Sequence, residues 1–129
     1  MRILIAALML AGCAASENSP HYFRDFRTAR IEMTARQVLN GPNKNAPQPV
    51  IVAFAECSTD YLLHYTSPED KAVLDAWAQQ KRSFSKAEND AYEARTRAAG
   101  AVTIGYNSFD ALSGTCPDKV PLFKQYFKP

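Results

Sequence analysis

Apolar positions along this chain recur every three or four residues, and stops rich in Gly, Pro, Asn and Ser separate the segments so marked. That period belongs to the helix, where residues three and four apart share a face. Ser19-Pro20 opens the first segment, since a serine hydroxyl accepts from the free amides of a first turn and proline suits the first helical position. Tyr22, Phe26, Ala29 and Met33 then fall on one face with Phe23 beside them, and Asn40-Gly41-Pro42 is a stop. Residues 41–49, GPNKNAPQP, hold three prolines and can be neither helix nor central strand. They predict an exposed, partly extended connector, long enough to serve as a recognition loop.

Val50 to Tyr65 is the most apolar stretch after residue 13. Its opening Val50-Ile51-Val52 favours strand. The stretch nevertheless runs on to Tyr65 without Gly or Pro, and Phe54, Cys57, Tyr61 and Tyr65 keep near-helical spacing. Length decides for a central helix, buried on most sides. Ser67-Pro68-Glu69-Asp70 starts the next helix with a cap, a first-position proline and acids at the positive helix end. Val73, Leu74, Trp77 and Ala78 form its apolar face, and Trp77, the only tryptophan, reads as a core anchor. Ser85-Lys86-Ala87-Glu88 has capping-box spacing. Behind it Ala91, Ala94, Ala98 and Val102 predict a small-residue face for close helix approach, with a break or kink at Gly100 or Gly105. Tyr106, Phe109 and Leu112 continue the stripe to a stop at Ser113-Gly114. Asp118 to Lys128 predicts a short amphipathic end helix carrying Leu122, Phe123, Tyr126 and Phe127. That cluster either fills the core or docks a partner. The expected fold class is all-α: a small bundle of four main helices plus a short C-terminal helix, one domain over residues 20–129.

The opening of the chain breaks this pattern. MRILIAALMLAGC has one basic residue, Arg2, then an apolar run over residues 3–11 with no polar stripe, then Gly12 and Cys13. The run is far shorter than the ~20 apolar residues a spanning helix needs. A basic start, a short apolar core and small residues at the end form an export-signal pattern. Leu10-Ala11-Gly12-Cys13 resembles the lipobox of bacterial lipoproteins. The resemblance implies a signal peptide over residues 1–12, cleavage before Cys13, a diacylglyceryl thioether on Cys13 and acylation of the new amino group. Residues 13–19 then form a small, polar tether. The absence of Asp after Cys13 resembles outer-membrane rather than inner-membrane lipoproteins, so the expected address is the bacterial outer membrane, facing the periplasm.

The chain has 129 residues, and removal of residues 1–12 leaves 117, enough for one core. Formal charge is +2, with Lys and Arg scattered among Asp and Glu, and no nucleic-acid surface follows. Of three cysteines, Cys13 is the lipid site on this reading, which leaves Cys57 and Cys116 as one disulfide in an oxidising compartment. There is no Cys-x-x-Cys motif, so zinc-ribbon, thioredoxin-like and c-type haem readings drop out.

Candidate chemistry is sparse. Glu56, Asp60 and His64 recur every four residues on the central helix and so lie along one face. Two carboxylates and an imidazole suit a divalent metal or acid–base work. The plainer reading is an exposed helix edge with His64 satisfied by Asp60. Arg24, Arg27, Arg30 and Arg36 form either an anion-binding strip or, by the plainer reading, a solvated face. No Gly-x-Ser-x-Gly and no phosphate-cradling glycine loop is present, and His21 and His64 are the only imidazoles. The expectation is a non-catalytic module without a cofactor, anchored to the membrane through Cys13 and binding an envelope protein. The alternative is a periplasmic metal- or small-ligand-binding protein using the Glu56, Asp60 and His64 face.

Overall fold

The structure is a computed structural model describing residues 23–79 and 85–129. The expected signal peptide, Cys13, the tether and the Ser19-Pro20 helix start lie outside the described residues. Among the described residues, five α-helices and one 3-10 helix follow in order: α1 Phe26–Leu39, α2 Gln48–His64, α3 Pro68–Ala78, α4 Lys86–Ala98, the 3-10 helix Phe109–Gly114 and α5 Val120–Tyr126. Among the described residues there is no strand. The all-α expectation therefore holds, with the main helices where the apolar period put them.

The first helix does not run unbroken from residue 20. Asp25 is extended (φ −155°), and its carboxylate accepts from the Thr28 amide at 2.8 Å and the Thr28 hydroxyl at 2.7 Å. A side chain competing for first-turn amides sets a helix start at its own position, so α1 begins at Phe26. The Phe26 amide donates to Asp75 on α3 at 2.9 Å, and the Phe23 amide donates to the Ala78 carbonyl at 3.1 Å. The entry of α1 is thus fastened to the far half of α3.

Helix α2 starts at Gln48, two residues inside the expected connector, because Pro49 falls in the first turn, where proline is tolerated. It packs along α1, the 3-10 helix and α5, and both core clusters draw on it. The larger cluster gathers Val50, Ile51, Cys57 and Tyr61 of α2 with Phe109, Leu112, Val120, Phe123 and Phe127. Phe54 stands edge-on to Phe109, Phe123 and Phe127, with ring centroids 6.0, 5.4 and 5.1 Å away. Edge-to-face pairs at such separations add to burial alone. The smaller cluster joins Phe26, Leu74 and Tyr92, with Leu62, Leu63 and Trp77 against it.

The end of the chain belongs to the core. Phe123 is fully buried, Phe127 nearly so and Leu122 partly buried against them, whereas Tyr126 is exposed, so the two phenylalanines of the cluster belong to the core. The helix there is shorter than expected, Val120–Tyr126. Cys57 and Cys116 are joined by a disulfide with Cα atoms 6.1 Å apart, tying the middle of α2 to the turn before α5.

Helix α4 departs most from expectation. Ser85 and Glu88 form the anticipated capping box. Yet Ala91, Ala94, Ala98 and Val102 face solvent, and the buried pair is Tyr92 and Thr96. A tyrosine brings far more apolar area than alanines and can keep its hydroxyl bonded, here to the Thr66 hydroxyl at 2.8 Å. At the helix end the Gly100 amide donates to Arg97 and the Ala101 amide to Thr96, the two bonds of a Schellman stop. Gly100 takes φ +119°, and a Cβ there would lie 3.2 Å from the Tyr65 ring. Beyond it the chain is irregular through residue 108, so Phe109 and Leu112 are buried by a separate 3-10 turn rather than a continued helix, while Tyr106 is exposed. The Val102 amide donates to the Tyr61 hydroxyl at 2.9 Å, fixing this irregular stretch to α2.

Candidate functional site

The carboxylate–histidine row on α2 does not converge. Asp60 accepts two hydrogen bonds from Arg27 of α1, from Nε at 2.7 Å and Nη2 at 3.0 Å. Both side chains are 42% exposed, so this fork fixes geometry more than it stabilises, by about 0–1 kcal/mol. His64 is exposed at the end of α2, its ring edge-on to Tyr65 at 5.0 Å, and Glu56 is exposed one turn before Asp60. The pairing expected between Asp60 and His64 is replaced by Asp60 with Arg27. Among the described residues no three His, Cys, Asp or Glu side chains gather as a metal ligand set.

The four arginines do not act as one strip. Arg24 reaches Asp25 at 3.3 Å in open solvent, Arg27 holds Asp60, and Arg36 lies 3.7 Å from Glu32. Arg30 is different. It turns inward, and its Nε is shut off from water with no hydrogen-bond acceptor. Burial lowers its pKa, opposed by the nearby Tyr92 hydroxyl and Glu93 carboxylate. Burial also raises the pKa of Tyr92, although the hydrogen bond with Thr66 opposes the shift. The solvated-face expectation thus holds for three of these side chains and fails for Arg30.

Arg30 lines a cleft of about 600 Å³ between the α1–α2–α3 body and α4. Phe26, Leu62 and Trp77 supply apolar wall on the body side, while Tyr92, Glu93 and Thr96 face them from α4. Trp77 also packs on Phe26, ring centroids 6.3 Å apart. The α4 wall is held by a few side chains: Arg95 forks onto Asp70 of α3 with two bonds of 2.8 Å, and Tyr92 meets Thr66. The Arg95 guanidinium holds the Asp70 carboxyl below its ordinary pKa.

A second hollow, about 270 Å³, lies between the end of α1, the connector and the aromatic cluster. At its rim Asn43 donates to the Tyr106 hydroxyl at 2.8 Å and exchanges two hydrogen bonds with the Lys128 backbone, at 3.0 and 2.9 Å. The connector is therefore a clasp between two later segments. No pattern of spacing announces Asn43, whose partners lie far along the chain, or Arg30, whose burial is set by how the helices pack.

No protein-family model, no curated protein and no solved structure matches the chain. Among the described residues no helix is long and apolar enough to cross a membrane. The class defined so far is a disulfide-stapled helical bundle with a cleft along one helix.

Proposed function

We propose that the protein is a lipoprotein of the bacterial envelope, a helical module tethered through acylated Cys13 and working by binding a neighbouring envelope protein. The single observation that carries this reading is the Cys57–Cys116 bond. Disulfides persist in oxidising compartments, so the bond agrees with export. It also occupies two of the three cysteines and leaves Cys13 for the lipobox. Two or three acyl chains hold a protein stably on a bilayer, where one holds it only marginally. Tethering then raises the local concentration of the module near membrane-bound partners without any new contact. The outer membrane, facing the periplasm, is the address favoured by Ala14 after Cys13. Of the alternatives, the metal-binding face has the weaker support, since Asp60 is already engaged by Arg27.

Intact-mass measurement of the protein from a bacterial host tests the anchor. The expected result is a chain beginning at Cys13 with added diacylglyceryl and acyl mass, which Cys13→Ser removes together with membrane fractionation. A chain that still begins at Met1, or a mature one with a bare Cys13 thiol, overturns the reading. Crosslinking on intact cells then identifies the partner, and its recovery is expected to fall in the Cys13→Ser variant.

A further inference from the structure

We propose that the hollow between the end of α1, the connector and the aromatic cluster binds a small, uncharged aromatic molecule. This site is independent of the membrane anchor and of the protein partner. The larger core is not closed on this side. Val38, Phe54 and Ile104 pack against it, yet all three are only partly buried, and all three line the hollow. Phe109 and Phe127, almost fully covered, back this wall. Apolar surface left open to water in a concave place favours an apolar occupant, because its burial drives association.

Charge and size narrow the ligand. Among the described residues lining the hollow there is no Asp, Glu, Lys, Arg or His, and the polar side chains are those of Thr34, Gln37, Asn43 and Tyr106. An ion entering it would give up water and meet no counter-charge, so a neutral molecule is selected. Neutral polar groups in an apolar wall suit a ligand with one uncharged hydrogen-bonding group. An apolar cavity of about 150 Å³ accepts benzene, so about 270 Å³ has room for one ring with a substituent.

The rings already present favour an aromatic one. Phe54 stands edge-on to Phe109 and Phe127, and Tyr106 stands edge-on to Phe109 with centroids 6.3 Å apart. A further aromatic ring extends this edge-to-face series, which an aliphatic ring cannot do. Tyr106 is exposed but not loose. Asn43 donates to its hydroxyl and is itself bonded twice to the Lys128 backbone. The rim is thereby set before a ligand arrives, which lowers the ordering cost of binding.

The full chain, with isotope-labelled methyl groups and held in lipid nanodiscs, is titrated in turn with benzamide, benzoate and cyclohexanecarboxamide. Nuclear magnetic resonance follows the methyl signals of Val38, which lines this hollow, and of Leu74, which lines the larger cleft instead. Benzamide is expected to shift Val38 saturably, with a dissociation constant below ~10 mM, and to leave Leu74 in place. Benzoate keeps nearly the same outline but is charged at neutral pH, and it is expected to bind at least about tenfold more weakly. Cyclohexanecarboxamide, which lacks the aromatic ring, is expected to bind about fivefold more weakly. Absence of a saturable Val38 shift up to ~10 mM benzamide overturns the proposal, as does a shift of Leu74 in its place. So does binding of benzoate or of cyclohexanecarboxamide as tight as that of benzamide. All three titrations use the unaltered protein, so no variant has to fold.

Discussion

Removing the Cys57–Cys116 bond is expected to destabilise the fold by about 4 kcal/mol. The two cysteines are 59 residues apart, and the loop they close contains α3, α4 and the 3-10 helix. A cross-link acts mainly by restricting the unfolded chain, and for a loop of this length the loop-closure relation returns about 4 kcal/mol at room temperature. A domain of this size has roughly 5–15 kcal/mol in all, so the bond carries a large share. Cys57 is itself buried in the larger core cluster, so replacing it by alanine adds a small void to the entropic loss. The assay is urea unfolding of the oxidised protein and of the Cys57→Ala, Cys116→Ala double variant, followed by Trp77 fluorescence and far-ultraviolet circular dichroism. With a slope of about 1–3 kcal/mol per molar urea, the midpoint should fall by roughly 1.5–4 M. Trp77 sits in the smaller cluster and the bond in the larger, so both signals should shift together if the domain unfolds as one unit. A double variant within ~1 kcal/mol of the oxidised protein would refute the reasoning, because it would mean that the unfolded chain is already held compact without the bond.

Phe123 is fully buried against Phe54 and Phe109, and Phe123→Ala is expected to cost about 3–5 kcal/mol in the same urea experiment. A near-native midpoint would return the terminal cluster to the surface. Gly100→Ala should cost about 1–2 kcal/mol by thermal melting, from its left-handed backbone and its approach to Tyr65, whereas Gly105→Ala, with open space around it, should be near neutral. Asp70 titrates below its ordinary value because Arg95 donates two hydrogen bonds to it, so the stabilisation it confers is complete above about pH 4 and is lost as pH falls through the lowered value. The stability gap between the natural protein and Arg95→Gln should therefore close on acidification. A gap of undiminished size at about pH 2 would contradict the assignment.

Local signals along the chain anticipated the helices well. Ser67 and Ser85 cap where their spacing from Asp70 and Glu88 implies, with amide-to-hydroxyl distances of 3.1 Å each. The length of the apolar run after Pro49 outweighed the strand preference of Val50-Ile51-Val52, and α2 resulted. What escaped was set by tertiary competition. Asp25 displaced the start of α1 because Thr28 and Asp75 complete its turn, and Asp75 is fifty residues further on. The alanines of α4 had the periodicity of a buried face, but Tyr92 and Thr96 offered more area and a satisfied hydroxyl, and they took the inside. The α2 row was legible as a row and illegible as a site, since the arginine that engages Asp60 lies on another helix. Arg30 could not be told from its neighbours, because burial of one arginine in four leaves no mark on spacing.

The slender attachment of α4 has a consequence for how the molecule breathes. Among the described residues, Tyr92 and Thr96 are the side chains it buries, and Arg95, exposed, forks onto Asp70. Ions in solution screen such a fork, whereas they leave the aromatic cluster untouched. Raised ionic strength should therefore loosen α4, and its amide protons are expected to trade with solvent before those of α2. That wall of the cleft is therefore expected to open more readily as salt concentration rises.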